Sequence, residues 1–168
     1  TGSEFMCKLK VLKELFMLIN GKHAHTIWHN ESENNVQVYD QRFFPHKTII
    51  FELNTSENAF FAIREMVVRG APLIGVTAAY GVFLAAKEKG NFIYIKERAE
   101  YIRTSRPTAV NLMWAIDKML DGLQNSTNLV EDALKLANEI KQIEIDISYN
   151  IGLNGLKIIE EISKRKNG

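Results

Sequence analysis

At 168 residues, with 46% hydrophobic and 24% charged side chains, the chain has the size and composition of one globular domain able to bury a sizeable core. Its 21 basic and 20 acidic residues leave a formal net charge of +1, which excludes a charge-driven nucleic-acid binder and gives no reason to expect an anionic membrane surface as partner. The single cysteine, Cys7, excludes an internal disulfide framework and fits a reducing, cytoplasmic setting, while the longest apolar run, Ala71 to Ala86, is broken by Gly75, Thr77, Tyr80 and Gly81 before it reaches membrane-spanning length.

Thr1-Gly2-Ser3-Glu4-Phe5 reads as a vector-derived scar over residues 1–5, with Met6 as the native initiator and one domain expected over 6–168. Residues 7–19 are amphipathic but short, and suit either a helix or a strand-like lead-in. Short β-rich pieces follow at Thr26–His29, Val36–Tyr39 and Thr48–Leu53, with Asn30, Glu31, Ser32, Asn34 and Asn35 supplying turn chemistry. Alternation of Val36 and Val38 with Gln37 and Tyr39 predicts a half-buried strand, so residues 26–53 are expected to form a small antiparallel sheet.

After Asn54 the spacing turns to threes and fours, predicting a helical bundle over 55–166 and an α+β fold. Thr55 or Ser56 is the expected N-cap of a helix whose stripe is Phe60, Ile63, Met66 and Val67. The next helix, about 72–88, is apolar nearly all round and is expected at the bundle centre. A third, about 91–103, carries mixed charges. A fourth is expected from Pro107 to Leu120 or Leu123. The last helix or helix pair begins near Asn128, with a stripe of Val130, Leu134, Ala137, Ile140, Ile143, Ile147 and Ile151. Gly152 and Gly155 in it predict a kink or a close helix crossing.

The chemistry concentrates in Arg64–Gly75 (REMVVRGAPLIG) and its echo Ser105–Leu112 (SRPTAVNL). In each an arginine closely precedes a proline, and proline favours the first helical position, so Pro72 and Pro107 are expected to open helices. A helix N-terminus presents unpaired N–H groups and partial positive charge; a guanidinium beside it is unfavourable unless an anion compensates. Arg69 and Arg106 are thus candidate phosphate ligands. His23, His25 and His29 lack a carboxylate or cysteine at spacing that would complete a metal site, and no metal or cofactor is expected. Cys7 lacks an activating neighbour. Trp28 and Trp114 are expected in the core or at an interface, Asp40 and Arg42 are expected to tie the sheet to the bundle, and Asp146, on or near an apolar stripe, is a candidate inward or partnered carboxylate. No P-loop, dinucleotide fingerprint or nucleophile elbow is present, nor a general base paired with a nucleophile.

Taken together, Asp40-Gln41-Arg42 with Pro45, Ala62 to Gly75, Ala78 to Val82 and Ser105 to Leu112 resemble the methylthioribose-1-phosphate isomerase family. That family shares a superfamily with ribose-1,5-bisphosphate isomerase and regulatory subunits of the eukaryotic translation-initiation guanine-exchange factor. The resemblance covers about 26–155 and implies the N-terminal domain of a two-domain protein, its Rossmann-like C-terminal domain absent here. It implies an aldose–ketose isomerase acting on 5-methylthioribose 1-phosphate in methionine salvage, a homodimer at full length, with substrate contacts at Arg69, Gly70, Ala71 and Arg106. The family's proton-transfer cysteine and aspartate would lie beyond Gly168, so no catalytic residue is expected within the chain and the fragment is expected to be inactive. Asn154 stands where the family often has histidine. The alternatives are a non-catalytic regulatory or scaffold subunit and an isomerase of another 1-phosphorylated pentose. An apolar surface, covered by the second domain in the whole protein, is expected on the isolated chain.

Overall fold

A computed structural model of the chain describes residues 18–19 and 22–166. Two-residue strands β1 (Leu18–Ile19) and β2 (Lys22–His23) pair antiparallel, upstream of the stretch expected to hold strands; Cys7 and residues 7–17 lie outside the described residues. A three-stranded antiparallel sheet follows, in the order β3 (Ile27–Asn30), β4 (Asn35–Tyr39), β5 (Ile50–Leu53). Its register pairs Ile27 with Val38 and Val36 with Leu53, so these four apolar side chains share the buried face.

Five helices complete the α+β architecture. Helix α1 (Ser56–Arg64) starts at a reciprocal cap: Thr55 Oγ1 accepts from the Asn58 N–H at 3.2 Å, and Asn58 Oδ1 accepts from the Thr55 N–H at 3.1 Å. It stops before Met66, which is exposed at φ 55°, so the expected stripe through Met66 and Val67 is not helical. Val67 and Val68 are buried from the loop instead. Helix α2 (Ala71–Glu88) is the central element, buried at every residue from Leu73 to Ala86. Its polar groups find partners: Thr77 Oγ1 donates to the Leu73 carbonyl at 2.7 Å and Tyr80 Oη to Asn138 Oδ1 at 2.6 Å. Burial pushes the Tyr80 phenol well above its ordinary pKa.

Around it pack α3 (Phe92–Arg103), α4 (Val110–Leu123) and the 38-residue α5 (Leu129–Lys166). A Cβ on Gly81 would come within 2.8 Å of both Ala59 and Ile102, so glycine permits the close crossing of α1, α2 and α3 there. By contrast α5 runs unbroken through Gly152 and Gly155, where a Cβ would meet nothing within 4 Å; the expected kink or crossing at this pair is absent. Ala133, Ala137, Ile140 and Glu144 form the buried face of α5. The same face continues as Ile147, Ile151, Ile158 and Ile162, all exposed, because the helix outruns the bundle. Uncovered apolar surface therefore lies on α5 rather than on 71–86. Trp114 is 40% exposed and belongs to the surface, while Trp28 is half-buried and donates to Gln37 Oε1 at 3.0 Å.

Asp40 and Arg42 pair with each other at the end of β4, and the pair meets the bundle where the Arg42 guanidinium lies over the Phe61 ring of α1, 6.0 Å from its centroid. Asp40 is buried, caps the 3-10 turn Gln41–Phe43, and takes two hydrogen bonds from the Arg42 guanidinium at 2.9 and 2.6 Å. Next to it the Gln41 N–H donates to the Val67 carbonyl at 2.9 Å, fixing the loop that leads into α2. The Arg42 hydrogen bonds hold the Asp40 carboxyl below its ordinary range against the opposing pull of burial. A depressed folded pKa gives stability that is complete above the unfolded carboxyl pKa, about 4, and is lost as pH falls through the folded value. Asp40→Asn should therefore lower stability at neutral pH and flatten its loss below about pH 4, read from urea midpoints across pH. Identical acid limbs for the two proteins would remove Asp40 from this role.

Candidate functional site

The N-terminus of α2 is built to be left open. Gly70, its N-cap residue, sits at φ 95° and ψ 134°, a conformation that disfavours any L side chain, and it makes no side-chain cap. Pro72 in the first turn has no N–H to lose. The Ile74 N–H closes on the Gly70 carbonyl at 3.0 Å, while the backbone around exposed Ala71 stays at the surface. Because a Cβ at Gly70 would meet nothing within 4 Å, Gly70→Ala is sterically free and pays only for conformation. We expect a destabilisation of roughly 1–2 kcal/mol, seen as a lower urea midpoint at unchanged slope. An unchanged midpoint would show that the loop relaxes without cost.

Arg69 stands exposed immediately before this cap, as its sequence position predicts. Arg106 does not open a helix. The Ala109 N–H donates to the Arg106 carbonyl at 3.0 Å, so Pro107 occupies the second position of a turn and α4 begins at Val110. Proline's fixed φ serves that turn position as well as a first helical turn, which is why the sequence signal misleads here. The two arginine segments are nevertheless at one end of the bundle, since a Cβ on Gly75 in α2 would lie 2.9 Å from the Asn111 carbonyl oxygen in α4. Neither guanidinium has a hydrogen bond or ion pair among the described residues.

Beside this end lies a cavity of about 410 Å³. Pro72, Leu73 and Val76 of α2 form one wall and residues 24–27, leading into β3, another. One face of α5 forms the third, carrying Lys141, Glu144, Ile145, Ser148, Tyr149 and Gly152 at helical spacing. Glu144 is 9% exposed, and its Oε1 accepts from Asn111 Nδ2 at 3.2 Å, tying α5 to the first turn of α4. Burial lowers the Lys141 pKa. Asp146, the carboxylate singled out from sequence, is exposed and accepts from Gln142 Nε2 at 2.9 Å; the inward carboxylate is Glu144, two residues earlier. The isoleucine stripe drew attention to the adjacent face of α5, whereas the spacing of Lys141, Glu144, Ser148 and Gly152 marks the cavity. Arg69 and Arg106 do not line it. His25 does, while His29 packs edge-on against Phe83 at 5.5 Å, and no three His, Cys, Asp or Glu side chains gather in a metal-holding group among the described residues.

These elements coincide with a known sequence family. The model described as the initiation factor 2 subunit family matches residues 67–163, from the loop before α2 to near the end of α5. The chain belongs to the initiation factor 2 subunit family. This family member is 43% identical to the methylthioribose-1-phosphate isomerase of Sinorhizobium medicae (strain WSM419) over 152 residues, 89% of this chain and 42% of the relative. It thus spans less than half the length of the curated relatives it matches. Two solved structures share its fold at a TM-score of 0.59 each. The translation initiation factor eIF-2B, subunit delta, from A. fulgidus is 29% identical, with 72% of this chain and 36% of that one covered. The 5-methylthioribose 1-phosphate isomerase from Pyrococcus horikoshii OT3 is 27% identical, with 76% and 38% covered. Within the initiation factor 2 subunit family, then, fold similarity is equal toward the enzyme and the translation factor. No helix among the described residues is long and apolar enough to cross a membrane.

Proposed function

We propose that this chain is the substrate-phosphate-binding N-terminal part of an aldose–ketose isomerase that converts 5-methylthioribose 1-phosphate to 5-methylthioribulose 1-phosphate. The observation that carries the reading is 43% identity, over 89% of the chain, to a protein named for that activity. The site chemistry agrees with it. An uncapped helix N-terminus at Gly70 and Ala71, with Arg69 beside it and Arg106 at the same end of the bundle, offers donors and positive charge to a phosphate ester. Groups for proton transfer come, in this reading, from the remaining length of the protein, which also covers the exposed isoleucines of α5 and completes a homodimer. A regulatory subunit of translation initiation is the second reading, supported by the family match over residues 67–163 and by a fold similarity to the A. fulgidus factor equal to that toward the isomerase.

The test is an isomerase assay on the full-length gene product and on the 168-residue chain, supplied with 5-methylthioribose 1-phosphate. The full-length protein should convert it and the chain alone should not, since acid–base groups contribute about 10²–10⁴-fold each. Turnover by the chain alone contradicts the division of labour; an inactive full-length protein favours the translation-factor reading.

A further inference from the structure

The loop that carries Arg69, residues 65–70 between α1 and α2, is pinned along its length. At its start Met66 adopts φ 55°, in the left-handed region that non-glycine residues seldom enter. That conformation turns the chain back on α1. The Val68 N–H then donates to the Ala62 carbonyl at 3.2 Å, and the Glu65 N–H closes the last helical turn on Phe61 at 2.8 Å. Glycine is the ordinary residue at such a helix end, yet here stands a methionine whose side chain is exposed and gains little from burial. In the middle of the loop the Val67 carbonyl accepts from the Gln41 N–H at 2.9 Å, and the Val67 and Val68 side chains are fully buried. The Gln41 donor is itself held in place. Asp40 accepts from the Arg42 N–H at 3.1 Å to cap the turn, and the Asp40 N–H donates to the Ile49 carbonyl at 2.8 Å. Arg69 and Gly70 emerge exposed from this anchored base.

The two buried valines account for the loop's attachment to the core, but not for a strained methionine three residues before the arginine. Strain of this kind persists where the surrounding structure over-determines it, and it clusters at functional sites. Resting on the isomerase reading above, we infer that Met66 and the Asp40–Gln41 turn are positioning elements of the phosphate site, fixing the base from which Arg69 and the open N-terminus of α2 meet the ligand. Neither touches the ligand. Gln41 acts through its backbone N–H on Val67, and Met66 through its φ. Arginine loses much rotamer freedom when it binds, so a backbone already fixed beneath it leaves less to order.

The test measures kcat and KM for 5-methylthioribose 1-phosphate on the full-length protein, at a temperature where every variant is folded. Gln41→Pro deletes the one N–H that holds Val67. Proline suits the first position of the turn, and Asp40 before it is already extended at φ −73° and ψ 98°. KM should rise about tenfold with kcat nearly unchanged, since a displaced loop weakens phosphate binding in ground and transition states alike. Met66→Val, β-branched and unsuited to φ 55°, should do the same. Met66→Gly enters that region freely and should keep the wild-type KM. Tyr101→Phe, which removes a hydrogen bond to Glu57 at the opposite end of α1, is the stability control: the unfolding midpoint should fall and KM stay where it was. A merely structural role for the loop would lower only the midpoint. An unchanged KM in Gln41→Pro or Met66→Val, or a KM raised equally in Met66→Gly or Tyr101→Phe, overturns the inference and leaves the isomerase reading standing. A full-length protein that neither binds nor converts the sugar phosphate removes that reading and the inference with it.

Discussion

Arg69→Ala and Arg106→Ala should each weaken binding of 5-methylthioribose 1-phosphate to the full-length protein by about tenfold or more. A hydrogen bond to a charged group is worth roughly 1.5–3 kcal/mol net, and about 1.4 kcal/mol is a factor of ten. The two side chains are well placed to show this cleanly, because neither has a competing ion pair or hydrogen bond among the described residues. Removing either therefore breaks no hydrogen bond or ion pair among the described residues, and thermal stability should move little, less for exposed Arg69 than for half-buried Arg106. Arg69 should show the larger effect. It lies directly before the uncapped turn at Gly70, where its charge opposes the helix dipole until an anion arrives. Arg106 sits in the turn before α4 and is half-buried, so it acts from the side. Lysine at either position should restore charge but not the planar fork, and recover only part of the affinity. Wild-type affinity in both alanine variants would make the arginines surface residues and leave phosphate binding to the backbone alone.

The fold was legible where local chemistry and tertiary packing agree. Alternation at Val36 and Val38 marks β4, Thr55, one of the two N-cap candidates, marks the start of α1, and the all-round apolar run after Pro72 marks a central helix. Legibility failed where one residue type serves two geometries. Proline opens α2 at Pro72 but turns the chain at Pro107, and only the hydrogen bond from Ala109 to Arg106 separates the cases. Glycine gave the same ambiguity. Gly152 and Gly155 looked like a crossing because they interrupt a good helix former, yet the tight contacts are at Gly75, Gly81 and Gly122. Whether a glycine is needed depends on what another helix brings to it, which sequence spacing does not contain. For the site, the arginine segments were visible through their prolines. The cavity was not, because its walls come from residues 24–27, α2 and α5, which are far apart in the chain.

Gly75→Leu should cost about 3 kcal/mol and degrade substrate binding together with stability. The Cβ alone would stand 2.9 Å from the Asn111 carbonyl oxygen and 3.2 Å from its carbon, and these are backbone atoms that no rotamer change can move. Helix α2 must then shift away from α4. Overpacking of this kind typically costs 1–3 kcal/mol, and the rest of a leucine adds to it, against a gain of roughly 1 kcal/mol from replacing a helical glycine. For a chain of this size 3 kcal/mol corresponds to a fall of about 6–12 °C in the unfolding midpoint. The functional consequence follows from the same displacement. Asn111 also donates to Glu144, so one movement alters the spacing of the α2 N-terminus, the Arg106 turn and the cavity wall on α5. Affinity for the sugar phosphate should drop even at temperatures where the variant is fully folded. Gly152→Leu is the matched control for stability, because its Cβ would meet nothing within 4 Å; it should leave the midpoint unchanged or raise it. Equal midpoints for the two variants would mean that α2 and α4 tolerate separation, and that the shared end of the bundle is held by something other than the contact at Gly75.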